Sequence, residues 1–179
     1  MWKTIALIAV AVLVVGVGIV LVIAATKPDT FRVARSAAIK APPEKVFPLI
    51  SDFRQWSLWS PYEHKDPAMK KTYSGAATGT GAIYEWDGDK NVGSGRITMT
   101  DASPPSKVML DLDMIKPFAA HNKVEFTLVP NGDATAVTWE MQGGVPYLAK
   151  IIHVFFNMDQ MVGKDFEAGL AKLKASAEQ

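Results

Sequence analysis

The sequence predicts an α+β protein: an antiparallel sheet of about six to seven strands on a long C-terminal helix, with one transmembrane helix at the N-terminus. Three observations predict it. Residues 5–25 form an unbroken apolar run. Residues 70–142 alternate apolar and polar side chains in short segments punctuated by Gly, Pro, Asn and Asp. Residues 145–177 change to a helical period.

The first element follows from the apolar run. Ile5 to Ala25 holds no charge, no proline and no polar side chain. At about 1.5 Å per residue it spans roughly 31 Å, close to the ~30 Å hydrocarbon core of a bilayer. Only a helix satisfies such a segment's backbone in lipid without partners. The alternative is a cleaved secretory signal, with Ala24 and Ala25 resembling a cleavage site; an apolar region of about 7–15 residues is then expected, shorter than this one. The flanking charges point both ways. Lys27, Arg32, Arg35 and Lys40 after the run place the domain in the cytoplasm by the positive-inside rule. Lys3 before it fits a signal anchor that exports the domain. The expectation is a single-pass membrane protein with the side of its domain open: residues 1–4 a tail, 5–25 the span, 26–30 a linker and 31–179 one domain.

The rest of the chain is long enough to bury a core. The net charge is +1 with no basic block, so nucleic acid is not an expected partner. The absence of cysteine excludes disulfides, thiolate catalysis and cysteine-ligated zinc.

After Pro28, Phe31, Val33, Ala37 and Ile39 alternate with Arg32, Ala34, Ala38 and Lys40, the pattern of a strand. Ala41-Pro42-Pro43-Glu44 ends it and opens a helix, with proline in the first turn and an acid at the positive end. Ser51-Asp52 caps a second short helix through Trp56 and Trp59. Strands follow around Ile83–Trp86, Ile97–Met99, Val108–Met114, Val124–Leu128 and Val137–Met141. Asp87-Gly88-Asp89, Pro104-Pro105 and Asn131-Gly132-Asp133 mark the turns. One apolar face per strand indicates a sheet buried on one side only. After Gly143-Gly144 the stripe Leu148, Ile152, Phe155, Met158 or Asp159, Val162, Phe166, Leu170 and Leu173 predicts one continuous helix to Ala177 that lies across the sheet.

Particular residues in this order carry a resemblance. Ile39-x-Ala-Pro-Pro-Glu-x-Val-Phe47, Asp52-x-x-x-Trp56-x-x-Trp59-Ser-Pro61, Tyr73-Ser-Gly75, Gly79-x-Gly81-Ala-x-Tyr84-x-Trp86 and Gly163-x-Asp-Phe-Glu-x-Gly-Leu170-x-x-Leu173 make residues 31–177 resemble the START-like helix-grip superfamily, SRPBCC, in its polyketide cyclase/dehydrase and lipid-transport branch. The resemblance implies a curved sheet gripping the C-terminal helix around a deep, mainly apolar cavity. Because that superfamily hosts enzymes, lipid carriers and chaperone-linked binders, it implies no single activity.

The expected ligand-binding residues are Trp59, Tyr62, Tyr84, Trp86, Phe118, Trp139, Met141, Phe155 and Met158, since aromatics give contact area and methionine adapts its shape. Core packing is the competing role for each. Trp56 and Trp59, three apart, suit a lid, a staple between helices or an interfacial belt. Among titratable groups, Glu63, Glu85, His121, Glu140 and His153 come into question, with His121 and His153 the best catalytic candidates; strand parity turns Glu140 to solvent. Asp87-x-Asp89-x-Asn91 mimics the start of a calcium loop, but Val92 and Thr98 stand where Gly and Glu are required, so it reads as a hairpin turn. No metal site and no cofactor are expected. The glycine-rich stretches 75–81 and 93–95 lack the phosphate-binding patterns. The sequence thus predicts a membrane-anchored module that binds a lipid or other hydrophobic small molecule. The alternatives are a cyclase, dehydratase or hydrolase acting on an apolar substrate, and a non-enzymatic partner-binding domain.

Overall fold

Alternation across residues 30–144 produces seven strands in a computed structural model that describes residues 2–179. They are β1 (Thr30–Ile39), β2 (Lys70–Gly75), β3 (Ala82–Asp87), β4 (Ser94–Ser103), β5 (Lys107–Lys116), β6 (Ala120–Asn131) and β7 (Ala134–Gly144). All pairs are antiparallel, in the order β1-β7-β6-β5-β4-β3-β2. The first strand therefore sits beside the last, with Thr30 opposite Gly144 and Ile39 opposite Thr135. The sheet is curved. Its inward side chains, Val33, Met99, Leu110, Val124, Phe126, Val137 and Trp139 among them, are buried, as period-2 patterning requires.

Three short helical segments lie between β1 and β2. In α2 (Pro43–Ser51), Pro43 occupies the first turn and Val46, Phe47 and Ile50 face the core. A 3-10 helix (Phe53–Leu58) follows, capped by the Asp52 carboxylate accepting from the Arg54 N–H at 2.9 Å. Then comes the single turn α3 (Tyr62–Lys65). Trp56 Nε1 donates to the Ile50 carbonyl at 2.9 Å and Trp59 Nε1 to the Leu49 carbonyl at 2.7 Å. Both indoles are buried, and these two bonds tie the 3-10 helix to α2, as a staple would, while Trp56 also lines the cavity described below.

The C-terminal region departs from the single continuous helix. It forms α4 (Tyr147–Phe155) and α5 (Met158–Ala177), separated by extended backbone at Phe156 and Asn157. Asn157 is the break: its side chain accepts from the Gln160 N–H at 3.1 Å and starts a new helix. Only α5 grips the sheet, through buried Phe166, Leu170 and Leu173 against β1, β7 and α2. Leu148, Ile152 and Phe155 of the predicted stripe are exposed on α4. That helix packs instead against α1 (Trp2–Thr26), with the Tyr147 hydroxyl donating to the Leu21 carbonyl at 2.9 Å. Among the described residues, α1 is the one helix long and apolar enough to cross a membrane. Apart from Ala24, which the domain buries, its side chains are almost all exposed.

Candidate functional site

Between the concave face of the sheet and α5 lies a cavity of about 790 Å³. Its wall follows from strand register, because residues paired across strands share a face. One inward row runs Met99–Leu110–Val124–Met141–Val33 and is wholly apolar. The next, towards the open end, runs Tyr84–Ile97–Leu112–Asn122–Gly143–Phe31. A third at the mouth runs Trp86–Gly95–Met114–Ala120. Gly95 is required there, since a Cβ would stand 2.4 Å from the Trp86 ring that lies over it. The mouth is bounded by Asn91 and Val92, by Pro117–Ala120 in the β5–β6 turn, and by Gly144–Ile152 at the start of α4.

Polar groups are few and placed apart. Glu63, 6% exposed, reaches the wall from α3. The Tyr84 hydroxyl donates to its Oε1 at 2.6 Å, and the Lys71 ammonium pairs with its Oε2. Burial first, and then the adjacent Glu63 carboxylate, pushes the ionisation of Tyr84 well above the usual phenol value. Tyr84 is accordingly a neutral donor at physiological pH. Burial, seconded by Asp165, does the same to Tyr62. In the same cross-strand row as Tyr84, Asn122 is 7% exposed and lines the cavity. Its amide leans over Gly143, where a Cβ would meet Asn122 Oδ1 at 2.0 Å. Among the described residues its side chain forms no hydrogen bond, and it stands on the cavity wall as one of the few polar groups there.

Of the nine expected ligand-binding residues, the structure brings seven to the wall: Tyr62, Tyr84, Trp86, Phe118, Trp139, Met141 and Met158. Trp59 stands behind it, fully buried in edge-to-face contact with Phe126 and Trp139. Phe155 lies outside on α4, where it points to solvent and lines a shallower cleft under the α4–α5 break. Trp139 joins wall to core: its ring stacks on Phe166 of α5 at 4.0 Å and on Phe126 at 5.0 Å.

The titratable candidates separate. His153 lines the mouth. His121 is on the outer face of β6, its Nδ1 2.6 Å from Asp113 Oδ1, away from the cavity. Glu140 also faces outward, bound by both oxygens to Arg32, and Glu85 pairs outward with Arg96. Asp87-x-Asp89-x-Asn91 is the β3–β4 turn, in which the Asp89 carboxylate accepts from both nitrogens of Asn91. Glu63 is the acid that reaches the wall. Asn122, not expected as a site residue, was signalled by parity: it continues the inward series Val124, Phe126, Leu128 by one step.

The family model for polyketide cyclase/dehydrase and lipid transport matches residues 30–178. No curated protein matches the chain. Solved structures share the fold. A protein from Chromobacterium violaceum superposes with a TM-score of 0.59 at 16% identity over 86% of this chain and 99% of its own. The Aha1 dimer from Colwellia psychrerythraea gives 0.59 at 15% identity over 83% and 96%. The di-domain ARO/CYC protein BexL, of the BE-7585A biosynthetic pathway, gives 0.61 at 12% identity over 88% of this chain and 53% of its own.

Proposed function

This chain belongs to the polyketide cyclase/dehydrase and lipid transport family, and on that footing we propose that it binds a lipid or similar amphiphile within its cavity while α1 holds it in a membrane. The observation that carries the reading is the cavity itself. At about 790 Å³ it lies within the ~300–1,000 Å³ range of small-molecule sites, and its wall is apolar aliphatic and aromatic side chains with a few separated polar groups. The apolar row at Leu110, Val124 and Met141 suits a hydrocarbon body. The Asn122 amide and, separately, the Tyr84–Glu63 pair each offer a hydrogen-bonding point for a polar head. Residues 5–25 serve as the anchor and 31–179 as the binding domain.

Native mass spectrometry of the full chain, purified in mild detergent, tests this. The expected result is a lipid-sized adduct on the wild type that is lost when Met141→Trp fills the cavity. A wild-type chain that carries no adduct and takes none up from added vesicles would sink the proposal.

The convergence of Glu63 and Tyr84 on the wall favours a second reading, an enzyme of the cyclase or dehydratase kind on an apolar substrate. BexL belongs to a biosynthetic pathway and gives this reading a parallel in the same fold. Comparing molecules extracted from the wild type and from Glu63→Gln separates the two. Identical masses with identical chromatographic retention support binding alone; an unchanged mass with a changed retention supports cyclisation, and masses differing by one water support dehydration.

A further inference from the structure

We propose that the mouth of the cavity is a lipid-docking surface: α4 and the β5–β6 turn lie in the headgroup–acyl boundary of the bilayer that α1 crosses, so the cavity opens into that bilayer rather than into water. The inference rests on the reading of α1 as an anchor and adds to it the face that meets the lipid.

Four observations converge. The first is depth. Tyr147 of α4 donates to the carbonyl of Leu21. Leu21 lies inside the apolar run, which continues to Ala25, about 6 Å further along the helix. A chain whose α1 spans a bilayer therefore carries the start of α4 to the level of the outer acyl chains. Tyrosine, apolar with a polar tip, is enriched at that level. The second is the orientation of α4. A surface helix facing water turns its lysines out and its leucines in. Here Lys150 is 7% exposed and paired with Asp29 at 2.5 Å, while Leu148 is 76% exposed and Phe155 67%. The polar group faces the protein and the apolar groups face outward, the arrangement expected where the surroundings are lipid.

The third is continuity. Phe118, 72% exposed in the β5–β6 turn, stands on the same mouth as α4, and both line the cavity. Exposed apolar groups of this kind on one end of a molecule mark an interaction surface. The opposite end of the sheet turns at Ser103-Pro104-Pro105-Ser106 and at Asn131–Asp133 and, although Val129 is exposed nearby, presents no exposed aromatic side chain in those turns. The fourth is topology. β1 and β7 are neighbours, so α1 before the one and α4 after the other leave from adjacent points at the same end as the mouth. A ligand leaving between Phe118 and α4 thus enters acyl chains directly, with no aqueous step.

The cysteine-free sequence makes the test direct. Single substitutions Phe118→Cys, Leu148→Cys and Phe155→Cys carry an environment-sensitive fluorophore at the mouth; Ser106→Cys and Asp133→Cys carry it at the far end. The full chain is reconstituted into phosphatidylcholine–phosphatidylglycerol vesicles containing nitroxide-labelled acyl chains. The expected result is several-fold stronger quenching by the lipid nitroxide at the three mouth positions, with shielding there from an aqueous quencher. Equal quenching at both ends overturns the proposal. So does shielding from the aqueous quencher without lipid quenching, which would assign the face to a second copy of the chain. A chain that fails to float with the vesicles removes the anchor as well. A chain that floats with unquenched mouth positions removes the docking alone.

Discussion

Tyr84 shows how a single residue carries more than one role. Its ring lines the cavity, and its hydroxyl satisfies a buried carboxylate. Tyr84→Phe keeps the ring and leaves one oxygen of Glu63 without its donor, for which a cost of about 1–3 kcal/mol is expected. Thermal unfolding of the full chain in mild detergent, followed by near-ultraviolet circular dichroism, measures it. Asn122 predicts the reverse. With no protein partner for its amide, Asn122→Leu removes polar atoms that contribute nothing to the fold, so stability is expected to hold or rise while adduct retention in native mass spectrometry falls. Loss of stability would show that the amide has a structural role. The two residues differ in how far the sequence revealed them. Inward parity reaches Asn122 by simple extension. The Glu63–Tyr84–Lys71 contact joins α3, β3 and β2, and no local pattern announces a meeting of three separate elements.

At the scale of elements, the strands were legible and the last helix was not. Alternation along β4 to β7 anticipates which side chains face inward, because a pleated strand has only two faces. The stripe from Leu148 to Leu173 also identifies an apolar helical face correctly, but periodicity does not say what that face meets. Leu170 meets the sheet, Leu148 does not, and Asn157 divides them. The start of α5 is held by Arg35 of β1, whose guanidinium reaches Asp159 at 3.0 Å and Glu167 at 2.7 Å. Gly163 makes room for it, since a Cβ there would stand 2.1 Å from an Arg35 nitrogen. The hydrogen bond from Arg35 holds the Asp159 carboxyl below its usual value. A carboxyl lowered in the folded state contributes stability above its unfolded value, near about 4, and loses that contribution as pH falls through the lowered value. Acid titration should therefore loosen α5 below about pH 4, seen as a falling near-ultraviolet signal from Trp139 stacked on Phe166. Asp159→Asn should remove that step.

For the whole molecule, the resemblance in scattered motifs over residues 31–177 and the observed topology describe one domain, and the family match covers residues 30–178. The relation of this domain to α1 was beyond sequence patterns, which assign the apolar run a length but no neighbour. The structure gives α1 a neighbour in α4 and buries Ala24, one of the two alanines that resemble a cleavage site. Retention of residues 5–25 is the expected outcome when the mature chain's intact mass is measured after expression; a mass beginning near residue 26 would make the run a leader instead. The pairing of β1 with β7 has a further consequence, in time rather than space. Thr30 acquires its partner only when Gly144 has been synthesised, and α5 follows later still. Contacts so distant along the chain close slowly. The first strand must therefore wait, unpaired, for nearly the whole domain to emerge, while the hydrophobic helix before it is already free to enter a bilayer. If α1 is the anchor proposed above, the cavity is assembled beside the bilayer as the domain folds, rather than being delivered there afterwards.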